Sequence, residues 1–488
     1  MWKPKQRIRY KHISCDWPTE AEAAKSSLFQ KVAVGAIELQ QRTWVPAMVP
    51  WRSNLQGEVT EDVLQWYERF AQGQPGAIVV EATGIRDIAS GPLLRISNDG
   101  YIDGLSELVK RVKRASHNQT KIFIQIIDFL AIKRRPSLDK YINRFLTITP
   151  QHRARLQAKQ CSDDEIRSRL LELDSEQLGS VLSGREFDEL NRGYRERVSD
   201  LQLPQISELP QVLPDLFAAA AQRAEKAGFD GIELHYAHAY TMASFLSAKN
   251  DRGDGYGGSR EQRVRLPVEI LQKVKSVVSD RFAIGCRLLS DECIAQGSDV
   301  SDASYYAIEL AKAGLDFLSL SRGGKFDDAK QPKIGSAVYP YTGRSGYECM
   351  PAYISDEFGP FGRNIAPTAA VRSCVRQAGF SLPIVVAGGI HNFAQAESIL
   401  QYEQADIVGF ARQAMADPDW FRKVRGGQGD AVRLCEYTNY CEGLDQKHKQ
   451  VTCQLWDRQK LDQANIRKSK DAKRRLVAPE WRSGDFND

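Results

Sequence analysis

Long apolar runs are missing from this sequence of 488 residues. A membrane-spanning helix needs about 20 consecutive, mostly apolar residues, and no window of the chain resembles one. The basic N-terminus is not followed by the apolar stretch of a secretory signal. We therefore expect a cytoplasmic protein with no membrane partner.

An excess of charge of one sign is also missing. The net charge is only +5, from 67 basic and 62 acidic residues. Two basic clusters, 133–135 and 467–475, lack interleaved aromatic residues, so we interpret them as solvated faces and expect no nucleic-acid partner. The nine cysteines are odd in number and come without an export signal, which favours reduced thiols over a disulfide framework.

Apolar, strand-like segments alternate along the chain with amphipathic helical segments. The predicted strands are 43–48, 77–81, 121–127, 231–235, 282–288, 316–321, 383–387 and 405–410. The predicted helices are 60–72, 103–115, 213–227, 260–278, 301–313, 368–378, 393–402 and 420–424. This alternation predicts an α/β fold, a (β/α)8 TIM barrel. An open doubly wound sheet is the alternative, but no G-x-G-x-x-G follows the first strand.

The spacing of these units predicts the domain organisation. The stretch between Asp128 and the helix at 213–227 is too long for a bare loop, and leucines recur at helical spacing within 161–200. We therefore expect a helical insertion at about 130–210. The predicted domains are an N-terminal extension at 1–27, a barrel at 28–430 and a C-terminal extension at 431–488. Residues from 457 onward are charged, and we expect them to be peripheral.

The main candidate site is an H-x-x-H-x-Y block formed by His235, His238 and Tyr240. It lies where the predicted strand 231–235 gives way to a loop, and in a parallel barrel this carboxyl end of the strands carries the chemistry. A zinc site is a weak alternative, because no carboxylate or cysteine lies nearby at ligand spacing. Two structural histidines with satisfied rings are the other alternative.

A series of motifs in the same chain order resembles the old yellow enzyme family, the FMN-dependent NAD(P)H:flavin oxidoreductases and ene-reductases. The motifs are SLFQKVAVGAIELQQRTWVPAM, the H-x-x-H-x-Y block, N-x-R-x-D-x-Y-G-G-S from Asn250 to Ser259, VVAGGI and GFARQAMADPDW. They extend from residue 27 to residue 420. The resemblance implies a (β/α)8 barrel that holds FMN, with NAD(P)H as the electron donor.

Two glycine-containing segments are candidates for the FMN phosphate site, because they follow the seventh and eighth strands, where barrels commonly bind phosphate. They offer close backbone N–H groups and one guanidinium. The residues concerned are Gly388, Gly389, Ala411 and Arg412.

The resemblance assigns the remaining flavin contacts. Arg287 and Gln125 match residues that face the flavin pyrimidine. The residues that match the surface beneath the ring are Pro46, Ala47, Met48 and Ala82.

The resemblance also implies roles for the H-x-x-H-x-Y block. Hydride passes from flavin N5 to the β-carbon of an activated alkene. His235 and His238, as neutral imidazoles, polarise the carbonyl or nitro oxygen of the substrate. Tyr240 protonates the α-carbon.

Three positions depart from the family pattern. Val49 stands where many members place a hydrogen-bonding threonine or cysteine, which should make the flavin harder to reduce. Asp128 stands where members commonly place a histidine, and an acid there would disfavour anionic substrates. Thr438 stands where the larger branch of the family has one of four cluster cysteines. Because a hydroxyl is a poor ligand for iron, we expect Cys435, Cys441 and Cys453 to hold no 4Fe-4S cluster, or a labile one.

The substrate class stays open at the level of the sequence. The expected small-molecule substrates are an enone, a nitro compound or an enoyl thioester. A reductase of acyl-CoA or aromatic-ring substrates is the alternative, with 133–135 as a phosphate-binding rim. A non-redox phosphate-binding barrel is the alternative from another class. We expect no second nucleotide-binding domain in this chain, and a homodimer is favoured only by family habit.

Overall fold

The computed structural model describes residues 15–88, 91–351 and 359–481. Its centre is a closed barrel of eight parallel strands, in which each strand pairs with the next along the chain and the last pairs with the first. The strands are β3 (Thr43–Val45), β4 (Ala77–Gly84), β5 (Lys121–Ile127), β6 (Gly231–Tyr236), β7 (Ala283–Leu289), β8 (Phe317–Ser321), β9 (Ile384–Ala387) and β10 (Ile407–Gly409). The predicted (β/α)8 barrel is confirmed, and the predicted strands differ from these only at their ends.

Helices follow the strands and cover the outside of the barrel. They are Glu61–Gln72, Ile102–Ala115, Leu209–Lys226, Arg260–Lys275, Val300–Lys312, Ile365–Gln377, Phe393–Gln401 and Trp420–Arg425. Side chains of Thr60, Ser259, Asp299 and Asn392 cap the first turns of four of them, which fixes where these helices begin. None of the helices in the described ranges is long and apolar enough to cross a lipid bilayer.

The amino end of the barrel is closed by aromatic rings. Trp44, Phe123 and Phe317 meet inside it with ring centroids 5.0 to 5.2 Å apart. A Cβ added at Gly285 would lie 2.2 Å from the Phe317 ring, so glycine is needed there. A short hairpin, β1 (Val32–Val34) and β2 (Ile37–Leu39), packs on this apolar plug and was not predicted. The closed amino end leaves the carboxyl end of the barrel for a binding site.

The insertion after β5 is helical, as predicted. Its helices are Leu138–Lys140, Tyr141–Phe145, Pro150–Arg155, Asp163–Glu172, Ser175–Val181, Gly184–Arg192 and Pro204–Ser207. Capping boxes begin the helices that follow Ser162, Asp174 and Ser183, where each cap residue exchanges hydrogen bonds with the residue three positions on. The insertion has its own apolar core, which includes Ile142 and Ile166.

Residues from 457 onward are peripheral only in part, because 458–468 are mostly exposed whereas the carbonyl oxygens of Leu476 and Ala478 accept hydrogen bonds from Arg52 and Arg69. Asp457 is buried and accepts hydrogen bonds from Tyr440 and Thr452, both 2.8 Å. Leu476 and Ala478 are buried as well. Polar side chains that bond inward anchor this segment in spite of its charged composition. The domain boundaries stay a prediction.

Shorter helices complete the described chain. They are Glu20–Lys25, Ser27–Phe29, Asp99–Tyr101, Thr241–Leu246, Arg344–Cys349, Arg412–Ala416, Gly429–Ala431 and Tyr440–Asp445. Three of these, Arg344–Cys349, Arg412–Ala416 and Tyr440–Asp445, contribute residues to the cavity described next.

Candidate active site

A cavity of about 240 Å³ opens at the carboxyl end of the barrel. Every site residue that the sequence singled out lines it. They are Pro46, Ala47, Met48, Ala82, Gln125, His235, His238, Tyr240, Arg287, Gly388, Gly389, Ala411 and Arg412. The structure thus brings together residues from seven of the eight βα units, and their roles remain proposals.

Strand register explains why several polar residues meet inside an apolar barrel. On β6, Glu233 and His235 alternate with Ile232 and Leu234, which belong to the outer apolar core. Glu233 lies beside Gln125 in the register of β5 and β6. His235 lies beside Arg287 in the register of β6 and β7. The inward-facing side chains of three neighbouring strands therefore form two polar layers, one of Gln125 and Glu233 and one of His235 and Arg287.

The two polar layers leave unpaired hydrogen-bonding groups at the cavity. Gln125 Nε2 donates to Glu233 Oε1 over 2.5 Å, which leaves Gln125 Oε1 as an acceptor. Arg287 Nη1 is buried and has no hydrogen-bond partner among the described residues. Burial raises the pKa of Glu233, although the Arg287 guanidinium opposes that shift. One acceptor and one unpaired cation fit the N–H and carbonyl edge of a flavin pyrimidine.

The two histidines differ in their hydrogen bonding. His238 Nε2 lies 2.7 Å from the hydroxyl oxygen of Ser321, at the end of β8. His235 Nδ1 is buried and has no partner within the described ranges. Burial, helped by the nearby Arg287 charge, lowers the pKa of His235 to about 3 and holds that of His238 well below its usual value. Both imidazoles are therefore neutral at physiological pH.

A strained turn places Tyr240 beside the histidines. His238 and Ala239 have positive φ angles of 58° and 63°, a conformation that costs non-glycine residues of order 1–3 kcal/mol each. The Tyr240 ring lies 5.6 Å from that of His235 and 5.3 Å from that of Phe129, measured between centroids. Burial raises the pKa of Tyr240 above its usual value, so the phenol stays protonated.

Glycines shape the opposite end of the cavity. Gly388 and Gly389 have φ angles of 130° and 67°, and a Cβ at Gly389 would lie 2.2 Å from the carbonyl oxygen of Pro360. Arg412 Nη1 donates to Asn439 Oδ1 over 2.6 Å, and its guanidinium lies 4.7 Å from the Tyr437 ring. Arg412 has no carboxylate within ion-pair distance in the described ranges, which fits a site for phosphate.

Sequence reasoning missed one wall of the cavity. It comprises aromatic residues from two loops and acidic residues from the helix Tyr440–Asp445: Trp51, Tyr339, Tyr341, Glu442 and Asp445. Asp445 accepts hydrogen bonds from Trp51 Nε1 and from the Tyr339 hydroxyl. No local pattern marks these residues, because Trp51 and Asp445 are 394 positions apart.

The expected effect of Asp128 is wrong. Its carboxylate is fully buried and accepts two hydrogen bonds from Arg86, of 2.5 and 2.9 Å. The ion pair neutralises the charge, and Asp128 does not line the cavity. Val49 does line it.

The three cysteines of the C-terminal segment lie in and around an apolar cluster. Cys435 packs with Tyr437, Cys453 packs against them, and Cys441 lines the cavity. Burial raises the pKa of the Cys441 thiol to about 12. No group of three metal-ligating side chains is found within the described ranges. The absence of an iron–sulfur cluster stays a prediction.

Comparison with known proteins finds relatives among NADH- and NADPH-dependent oxidoreductases. Residues 205–430 match the NADH:flavin oxidoreductase / NADH oxidase family. The chain is 26% identical to an NADH oxidase of Thermoanaerobacter brockii, over 84% of this chain and 52% of the relative. It is 28% identical to an NADPH dehydrogenase of Halalkalibacterium halodurans, over 81% of this chain and 93% of the relative.

A solved structure supports the fold. The chain is similar to an old yellow enzyme homologue from Zymomonas mobilis, with a TM-score of 0.51 and 21% identity over 81% of this chain and 92% of that one. The chain spans about half the length of the first curated relatives that it matches. In its family match, its relatives and its barrel, the chain resembles the NADH:flavin oxidoreductase / NADH oxidase family and the old yellow enzymes.

Proposed function

We propose that the protein is an FMN-dependent NAD(P)H oxidoreductase that reduces an activated C=C bond. One observation carries the proposal: two neutral histidines and a protonated tyrosine share a cavity with an unpaired arginine and a glutamine acceptor. The first group suits a substrate oxygen and a proton transfer, and the second suits a flavin edge.

The residues that would hold FMN extend across the cavity floor. Arg287 and Gln125 would bind the pyrimidine edge, and Pro46, Ala47, Met48 and Ala82 would lie beneath the ring. Gly388, Gly389, Ala411 and Arg412 would bind the phosphate. When bound, FMN supplies two-electron chemistry, accepting hydride from NAD(P)H and passing it to the acceptor.

The histidines would stabilise negative charge on the substrate oxygen. A neutral imidazole that presents N–H binds a developing oxyanion more tightly than a ground-state carbonyl, which is the condition for catalysis. His235 is placed for this role, because its Nε2, unlike the buried Nδ1, is accessible and has no hydrogen-bond partner in the described part of the chain. His238 would have to release Ser321 or bind through its other nitrogen.

Tyr240 would protonate the α-carbon. Its raised pKa keeps the phenolic proton in place, and contacts with His235 and Phe129 hold the ring at the cavity. The proton lost by Tyr240 is regained from solvent after turnover. A phenylalanine in its place would keep the packing but remove the proton.

Spectroscopy on the purified protein tests the cofactor part of the proposal. We expect bound FMN that NADPH or NADH bleaches under anaerobic conditions, and that an enone reoxidises. A protein that binds no FMN on reconstitution, or a flavin that neither nicotinamide reduces, would overturn it. An aldolase-like barrel without redox chemistry would give the first of these results.

A larger thioester substrate is the second candidate. A polar cavity of about 500 Å³ adjoins the first and shares Tyr240 with it. Its basic lining residues are Arg192, Arg195, Arg197, Lys249 and Lys325. The expected rim at 133–135 does not line either cavity, and Arg134 and Arg135 donate to backbone carbonyls of a neighbouring loop. A coenzyme A thioester turned over far faster than a simple enone would favour this candidate.

A further inference from the structure

One wall of the cavity combines aromatic rings with carboxylates. We call it the acidic aromatic wall and define it as Trp51, Tyr339, Tyr341, Glu442 and Asp445. The Tyr339 and Tyr341 ring centroids are 5.2 Å apart. The Tyr341 ring is 5.4 Å from the ring of His238, so the wall adjoins the two histidines.

Asp445 ties the wall together. Its Oδ1 accepts the Trp51 indole N–H over 2.5 Å, and its Oδ2 accepts the Tyr339 hydroxyl. Glu442 lies three residues earlier on the same helix, and residues at this spacing share a helix face. Both donors to Asp445 are neutral, so the hydrogen bonds orient the carboxylate without cancelling its charge.

Cations are scarce around these acids. Arg287 and Arg412 are the cationic side chains among the residues that line the cavity. In the proposed function Arg287 is committed to the flavin pyrimidine and Arg412 to the phosphate. Neither Glu442 nor Asp445 forms an ion pair with any residue in 15–88, 91–351 or 359–481. The space left for a substrate is therefore acidic.

Burial makes this arrangement costly without a cation. Desolvation raises the pKa of Asp445 to about 6. Desolvation together with the Asp445 charge raises the pKa of Glu442 to about 7, although the Arg412 guanidinium opposes this shift. A cationic ligand would remove the cost, since buried carboxylates are stable when paired. The surrounding rings add attraction, because aromatic faces bind quaternary and other ammonium groups.

We propose that the acidic aromatic wall is a subsite for an organic ammonium group carried by the acceptor substrate. The inference rests on the proposed function in one respect, which is that the ligand is identified as the acceptor substrate. A substrate anchored there by its cationic end would place its reactive group beside His235 and His238.

Binding of a cation and its uncharged isostere tests the subsite. The purified holoenzyme is titrated by calorimetry with choline and with 3,3-dimethyl-1-butanol, which has the same shape without the charge. We expect choline to bind at least about tenfold more tightly, as an aromatic cage with a carboxylate should give. Equal affinities in the unaltered protein would overturn the proposal, and this arm needs no variant to fold.

Removing the charge of one carboxylate tests whether the acidic aromatic wall causes the preference for choline. Asp445→Asn keeps the shape and an acceptor oxygen, and we expect it to abolish most of the preference for choline. The matched control is Asp462→Asn, an exposed acid of the same segment outside the cavity, which should keep the preference. A preference retained in a folded Asp445→Asn protein and in Glu442→Gln would overturn the proposal.

The two proposals fail separately. If choline binds but NAD(P)H does not reduce the flavin, the subsite proposal stands and the proposed function is overturned. If the flavin and an enone are reduced but choline binds no more tightly than 3,3-dimethyl-1-butanol, the proposed function stands and the subsite proposal is overturned.

Discussion

The unequal hydrogen bonding of the two histidines predicts unequal effects of removing them. His235 Nδ1 is buried without a partner in the described chain, whereas His238 Nε2 already contacts Ser321 at 2.7 Å. If both stabilise the substrate oxygen, His235 does so without losing another hydrogen bond. His238 must give up one worth about 1 kcal/mol before its Nε2 can donate to a ligand.

The magnitudes follow from this difference. Loss of one preorganised oxyanion donor costs about 100- to 1,000-fold in rate, so we expect that loss for His235→Ala. His238→Ala should cost about fivefold less than His235→Ala, the rate equivalent of about 1 kcal/mol. Ser321→Ala frees His238 Nε2 and should raise the rate by up to about fivefold.

Anaerobic stopped-flow measurement separates the relevant step. Each variant is first reduced with NAD(P)H and then mixed with an enone, and reoxidation of the flavin is followed. The reduction by NAD(P)H serves as the internal control, because an intact site should still accept hydride. Equal losses for the two histidine variants, or a Ser321→Ala rate below that of the unaltered protein, would refute the reasoning.

The other predictions concern the cofactor and acid stability. Val49→Thr adds a possible donor at the cavity and should raise the flavin reduction potential; an unchanged value in a redox titration would count against it. Gly389→Ala should abolish FMN binding, measured as flavin absorbance per protein, while Gly184→Ala, where a Cβ meets open space, should retain it. The depressed pKa of His235, about 3, means that the unfolded chain takes up a proton that the folded one refuses, so stability should fall as the pH drops from 6.5 towards 3. In urea titrations His235→Gln should lessen this fall; an identical pH dependence would contradict the assignment.

The fold could be predicted because its signals are local. Apolar segments of strand length, each followed by an amphipathic helix, identify the eight units without knowledge of their contacts. The residues that follow these strands, such as His235 and Arg287, come together because a parallel barrel brings the carboxyl ends of its strands to one edge. The hairpin β1 and β2 was missed because three-residue strands are too short to show a period.

The contacts that could not be predicted join distant parts of the chain. Asp128 is neutralised by Arg86, 42 positions away, and no local pattern indicates that pairing. Asp445 lines the cavity and accepts a hydrogen bond from Tyr339, 106 positions away, although it lies in the predicted C-terminal extension. Such hydrogen bonds depend on loop paths that carry no periodic signal, so the acidic aromatic wall emerged only from the structure.

The most direct test of the proposed activity compares the two half-reactions in Tyr240→Phe. The substitution keeps the aromatic contacts with His235 and Phe129 and removes the proton donor. We expect NAD(P)H to reduce the FMN of this variant at close to the normal rate, while product formation from an enone is largely lost. Normal turnover of the enone by Tyr240→Phe would contradict the assignment of the proton donor, and with it the proposed use of this cavity.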